Sequence, residues 1–141
     1  MNAPILAPAA ILILWSLIML IWLAATRLLA LCKAGLDLSG AGGRGQDIDP
    51  QLPPSVAWKS HNYAHLMEQP TLFYAVVVLL TLVGQGDSLN AQLAWAYVDI
   101  RIAHSLWQAL VKTVPIRFDL FILSTIGLFA LSINLVIATL L

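Results

Sequence analysis

Residues 4–26 contain no charged side chain, and neither do residues 120–141. A helix needs about 20 mainly apolar residues to cross ~30 Å of hydrocarbon, so each run is long enough for one span. This constrains the fold more than any motif does. Inside a bilayer every backbone N–H and C=O must find its partner within the protein, and a helix achieves that segment by segment. Composition agrees: 60% of the residues are hydrophobic and 10% are charged, against roughly 45–50% and about 25% in soluble domains. An all-α integral membrane protein follows.

Two further spans need more argument. From Pro70 to Val83 only Thr71 and Thr81 interrupt the apolar run, which gives about 21 Å of helix and is too short. The second helix must therefore reach back through Glu68, His65 and His61 to about Trp58, with Pro70 inside it as a kink or as the source of a freed carbonyl. Gly84 to Asp87 make a turn, and a third span runs from about Leu89 to Val114, before Pro115. The spacing thus predicts one domain over 1–141, with spans near 5–32, 58–83, 89–114 and 117–140. Residues 34–57, rich in Gly, Pro and Asp, read as a flexible surface loop.

The charges orient this four-helix bundle. Of the seven Lys and Arg residues, Arg27, Lys33, Arg44 and Lys59 lie in or beside the first connection, and Lys112 and Arg117 flank the third. Cytoplasmic connections carry the excess of Lys and Arg, so connections one and three face the cytoplasm and both termini face away from it. No Lys or Arg precedes Arg27, so the first segment lacks the basic start of a signal peptide and reads as a retained anchor. Net charge is zero and no basic tail is present, which argues against a nucleic-acid partner. Cys32 is the only cysteine; it excludes an intrachain disulfide and reads as a small buried hydrophobe near a helix end.

Glu68, Arg101 and His104 fall inside the spans, where a charge at the helix centre costs about 2.5–3.5 kcal/mol on insertion scales. His61, His65 and Glu68 recur at helical spacing and share one face, as do Tyr97, Arg101, His104 and Gln108 on the next helix. Glu68 lies roughly 13 Å above Lys59, and His104 lies at a matching depth from Val114. The two polar faces should therefore meet, with Glu68 against Arg101 as the expected contact. Arg101, His104, Lys112 and Arg117 would then form a cationic pocket opening toward the cytoplasm. The bland alternative is a buried ion pair that only fixes helix register. His61 and His65 are spaced for zinc, but a third ligand is not evident, so no metal is expected. Gly40, Gly42 and Gly45 match a dinucleotide-binding fingerprint only as letters, since no strand precedes them.

Taken in order, the residues resemble the MAPEG family, membrane-associated proteins in eicosanoid and glutathione metabolism, in its bacterial-type members. His65-Leu-Met-Glu68-Gln-Pro70-Thr-Leu-Phe73 is similar to the family's second-helix motif. Arg101-Ile-Ala-His104-Ser followed by Pro115-Ile-Arg117 is similar to its third-helix signature and the start of its fourth helix. The resemblance implies a homotrimer of four-helix subunits that binds glutathione between subunits near the cytoplasmic face. Partners would be glutathione, a lipophilic small molecule or lipid, and the membrane lipids; in a bacterium the location would be the inner membrane.

Carried over by position, Glu68 would hold the glutathione α-amino group. His104 would contact the carboxylate region, and Arg101 would be a structural or ligand partner. His65 stands where the family usually has Asn, and Gln108 where its enzymes often have Tyr; both join the ligand-facing set. Arg117 would stabilise the thiolate, because a nearby cation lowers a thiol pKa. The resemblance implies transferase or peroxidase chemistry on lipophilic electrophiles or lipid peroxides. With Gln108 in place of a hydroxyl, a non-catalytic protein that binds lipid or a partner stands as the alternative. A small transporter or proton relay through Glu68, Arg101 and His104 is a third reading.

Overall fold

The computed structural model describes residues 3–35, 39, 45–111 and 113–140. Four α-helices follow one another: α1 (Leu6–Ala34), α2 (Pro54–Leu82), α3 (Ser88–Leu110) and α4 (Val114–Leu140). Between α1 and α2 a 3-10 helix covers Gly45–Gln51, and no strand occurs among the described residues. The all-α four-helix expectation holds.

Local sequence sets the helix ends. Gly35 stops α1 in the left-handed conformation at φ 61°, which is cheap only without a Cβ. Pro54 opens α2, where the missing N–H is no loss. Pro70 lies inside α2 without ending it. Pro115 shifts the last boundary: α3 ends at Leu110 rather than Val114, and α4 already begins at Val114. A proline fits the first turn of a helix better than the residue after one. The Trp107 indole ties this short link by donating to the Thr113 hydroxyl at 2.8 Å.

Successive helices run up and down. The Ile5 amide donates to the Gly86 carbonyl at 3.1 Å, so the N-terminal segment lies against the α2–α3 turn. A Cβ at Gly86 would stand 3.0 Å from the Ala3 Cβ and 3.1 Å from the Ile5 Cγ2, a tight fit that pushes on the N-terminal segment. Within the bundle α3 packs on α4, and α1 packs on α2 and α3, whereas α1 and α4 do not meet. Phe73 and Tyr97 stack at the centre, ring centroids 4.4 Å apart, among Leu12, Leu66, Leu80 and Leu131.

Many large apolar side chains point outward, including Ile21, Leu72, Ile126 and Phe129, which suits contact with lipid tails. α1, α2 and α4 are long and apolar enough to cross a membrane. α3 is not apolar enough, because Asn90, Arg101, His104, Ser105 and Gln108 line its buried face. Lipid tails are as apolar as the helices, so hydrogen bonds between helices hold such a bundle together, each contributing about 0.6–2 kcal/mol. Trp15 donates to Ser105 at 3.0 Å, Gln69 to Thr125 at 2.7 Å and Asn134 to Asn90 at 2.7 Å.

Two expectations need correction. Cys32 is exposed, not buried. The first connection is not simply a flexible loop: its second half forms the 3-10 helix, and Arg27 and Asp49 pair at 3.0 Å with little of either side chain exposed. A charge pair this close to the end of α1 pins the connection to the helix. Arg44, Gly40, Gly42 and Lys112 lie outside the described residues.

Candidate functional site

α2, α3 and α4 bring five of the candidate polar side chains to one end of the bundle, and the sixth to its rim. Arg101 is 1% exposed, on the face of α3 that carries Tyr97, His104 and Gln108. Its Nη2 donates to the backbone carbonyl of His65 at 2.9 Å. A carbonyl has two lone pairs, so it can serve a helix bond and a side chain together. Nε and Nη1 of Arg101 are buried without a protein partner among the described residues.

The expected Glu68–Arg101 contact does not form. Glu68 instead meets His65, Oε2 to Nδ1 at 3.1 Å, and 66% of its side chain is exposed. Helical geometry gives the reason. The face of α2 that packs inward carries Asn62, Leu66, Pro70 and Phe73. At 3.6 residues per turn, Glu68 stands about 200° round the helix from Leu66. The α2 residue that meets His104 is His65, and Glu68 turns outward.

His104 is buried and faces His65 edge-on, with ring centroids 6.1 Å apart. Phe121 of α4 lies on its other side at 6.4 Å. Arg117, in the first turn of α4, donates from Nη1 to the Oε1 of buried Gln108 at 2.9 Å. His65, His104, Val114, Arg117, Phe118 and Phe121 line a cavity of about 210 Å³. It holds a guanidinium, two imidazoles and two aromatic rings. Such a set can bind an anion and bring it against an apolar surface. His61, expected on the same face of α2 as His65, is half-buried and does not line the cavity. Among the described residues no three His, Cys, Asp or Glu side chains are grouped to hold a metal ion.

Several residues escaped the sequence reading. Gln69, beside Pro70, donates to Thr125 at 2.7 Å, and Tyr97 and Ser124 each approach its Oε1 at 3.5 Å. One turn further along α2 and α4, Gln69, Leu72, Val76, Thr125, Leu128 and Phe129 contribute to a second, mostly apolar cavity of about 330 Å³. Asp99 is exposed midway along α3, and no side chain pairs with it among the described residues. Its sequence signal is an acid in the middle of the third helix.

A helical membrane bundle with a cationic, aromatic-walled pocket between its second, third and fourth helices is the class these features define. The family model for MAPEG matches residues 5–137, and the chain belongs to this family of membrane-associated proteins in eicosanoid and glutathione metabolism. No individual curated protein and no solved structure matches the chain.

Proposed function

We propose that this protein is a glutathione-dependent membrane enzyme that acts on lipophilic electrophiles or lipid peroxides. The observation that carries the reading is Arg117, a cation at the edge of a cavity that also holds His65 and His104. Glutathione, when bound, would supply the thiol: its sulfur would displace a leaving group from an electrophilic carbon, or two glutathione thiols would reduce a hydroperoxide to alcohol and water and end as their disulfide. Arg117 would hold that thiol ionised, because the thiolate is the nucleophile and a cation favours it. His104 and His65 would meet the peptide's carboxylate region, and Glu68 its ammonium group. Arg101 has unpaired donors behind His65 that suit an anionic group; Gln108 would keep Arg117 in place.

The site would be completed by a neighbouring subunit in a homotrimer. The cavity, about 210 Å³, is smaller than the roughly 300 Å³ at which small-molecule pockets begin. Glu68 and Asp99 are exposed acids on α2 and α3, and inside a membrane such groups normally pair or face a protein interior. All four helices would cross the membrane, a bacterial inner membrane if the cell is bacterial. The first and third connections would face the cytoplasm and the termini the opposite side.

Conjugation of a chromogenic electrophile by purified protein tests the proposal. Turnover that disappears in Arg117→Ala, with the fold intact, supports it. Glutathione binding without turnover on any electrophile or peroxide would leave a binding-only protein instead. One observation favours that second reading: the buried group beside Arg117 is the Gln108 amide, with no hydroxyl to assist the thiol.

A further inference from the structure

A cavity of about 710 Å³ lies away from Arg117, between the end of α1, residues 50–53 and the start of α2. None of the residues lining the Arg117 cavity lines this one. Its walls mix Leu29, Leu52 and Val56 with Lys33, Ser55 and Lys59, and include no acid among the described residues.

We propose that this cavity binds the headgroup of an acidic phospholipid. Lys33 and Lys59 approach it from two different helices. Lys59 is held in position: its Nζ donates to the Ser55 carbonyl at 2.9 Å and lies 4.8 Å from the centre of the Trp22 ring. An ammonium has three N–H donors, so this leaves capacity for a phosphate oxygen. The wall formed by residues 50–53 follows directly on Asp49, which is fixed to Arg27 at 3.0 Å, so the space is built before any ligand arrives.

Two features select a lipid over a soluble anion. Most of the lining is apolar, which suits glycerol and ester groups beneath a phosphate and gains nothing from a bare phosphate. The cavity also opens at the end of a membrane helix whose outer side chains, Ile21, Leu28 and Leu29, are more than 60% exposed and can bed an acyl chain. Basic pockets at the membrane surface between helices recognise anionic headgroups in this way. The inference does not depend on catalysis at Arg117.

Native mass spectrometry of the full, delipidated protein in mild detergent tests it, with titration by dioleoylphosphatidylglycerol or dioleoylphosphatidylcholine. Wild type should retain the glycerol lipid preferentially. Lys33→Ala with Lys59→Ala should lower that preference roughly 10- to 30-fold, taking about 1 kcal/mol per basic residue, while Lys33→Arg with Lys59→Arg keeps it. Equal retention of both lipids, or a preference that survives the double alanine change, would overturn the proposal. Displacement of phosphatidylglycerol by millimolar inorganic phosphate would make this a soluble-anion site and overturn it too. If the double variant fails to fold, Lys33→Gln at the exposed end of α1 should give a partial loss, and an unchanged preference would count against the site.

Discussion

Arg101 is anchored to α2 through the main-chain carbonyl of His65, with Nη2 to O at 2.9 Å, and not through the carboxylate of Glu68. A buried arginine held by a neutral group has charge left over. Replacing it with Met removes one charge-assisted hydrogen bond but also a desolvated cation, so stability in detergent should change by on the order of 1 kcal/mol in either direction. Glutathione affinity should fall about tenfold or more, because a hydrogen bond to a charged group contributes about 1.5–3 kcal/mol. Thermal unfolding and glutathione titration of Arg101→Met measure both. Unchanged affinity would make Arg101 purely structural.

Glu68 is the opposite case. Its side chain is 66% exposed, and among the described residues its one ion-pair partner is His65. Glu68→Gln should leave thermal stability within about 0.5 kcal/mol, yet weaken glutathione binding measurably by calorimetry. A large loss of stability with unaltered binding would reverse the assignment.

Removal of Arg117 should move the pH dependence. A cation beside a thiol lowers its pKa, so Arg117→Ala should raise the acid limb of the conjugation profile toward the ~8.5 of a free thiol. Each unit of that rise lowers the rate on the acid side of the limb about tenfold. Stopped-flow conjugation rates between pH 6 and pH 9 give the limb directly; a profile of unchanged shape and lower amplitude would assign Arg117 to binding.

Asp99 should reveal whether the outer face of α3 meets another subunit. A lone acid at a helix centre costs about 2.5–3.5 kcal/mol on insertion scales. In the proposed homotrimer, with a partner subunit supplying the counterpart, Asp99→Leu should reduce the trimer fraction in native mass spectra. An intact trimer with higher thermal stability would put Asp99 against lipid.

Asp49→Ala should free the first connection. The change strands Arg27, which has 17% of its side chain exposed; loss of one partner from a fully buried pair costs about 3–5 kcal/mol, and partial exposure here brings that to about 1–3. Limited proteolysis should then cut residues 45–51 faster than in wild type. An Arg27→Ala, Asp49→Ala double variant should be less destabilised than the two single changes added together.

Much of this protein was legible in its chain. Long uncharged runs can only be helices in hydrocarbon, so the four helices, their up-and-down order and the single basic end followed from composition and length. Periodicity along one helix also grouped Arg101, His104 and Gln108 on one face, and the family likeness rested on those same letters. The rest required coordinates, because a period of 3.6 gives a residue's angle relative to its own helix and not relative to a neighbour. Only the packing of α2 on α3 turned Glu68 outward and gave Arg101 the His65 carbonyl. Only the approach of α4 brought Arg117 to Gln108. The docking of Asp49 on Arg27, which built the lysine-lined cavity, joins positions too far apart in the chain for any local pattern to connect.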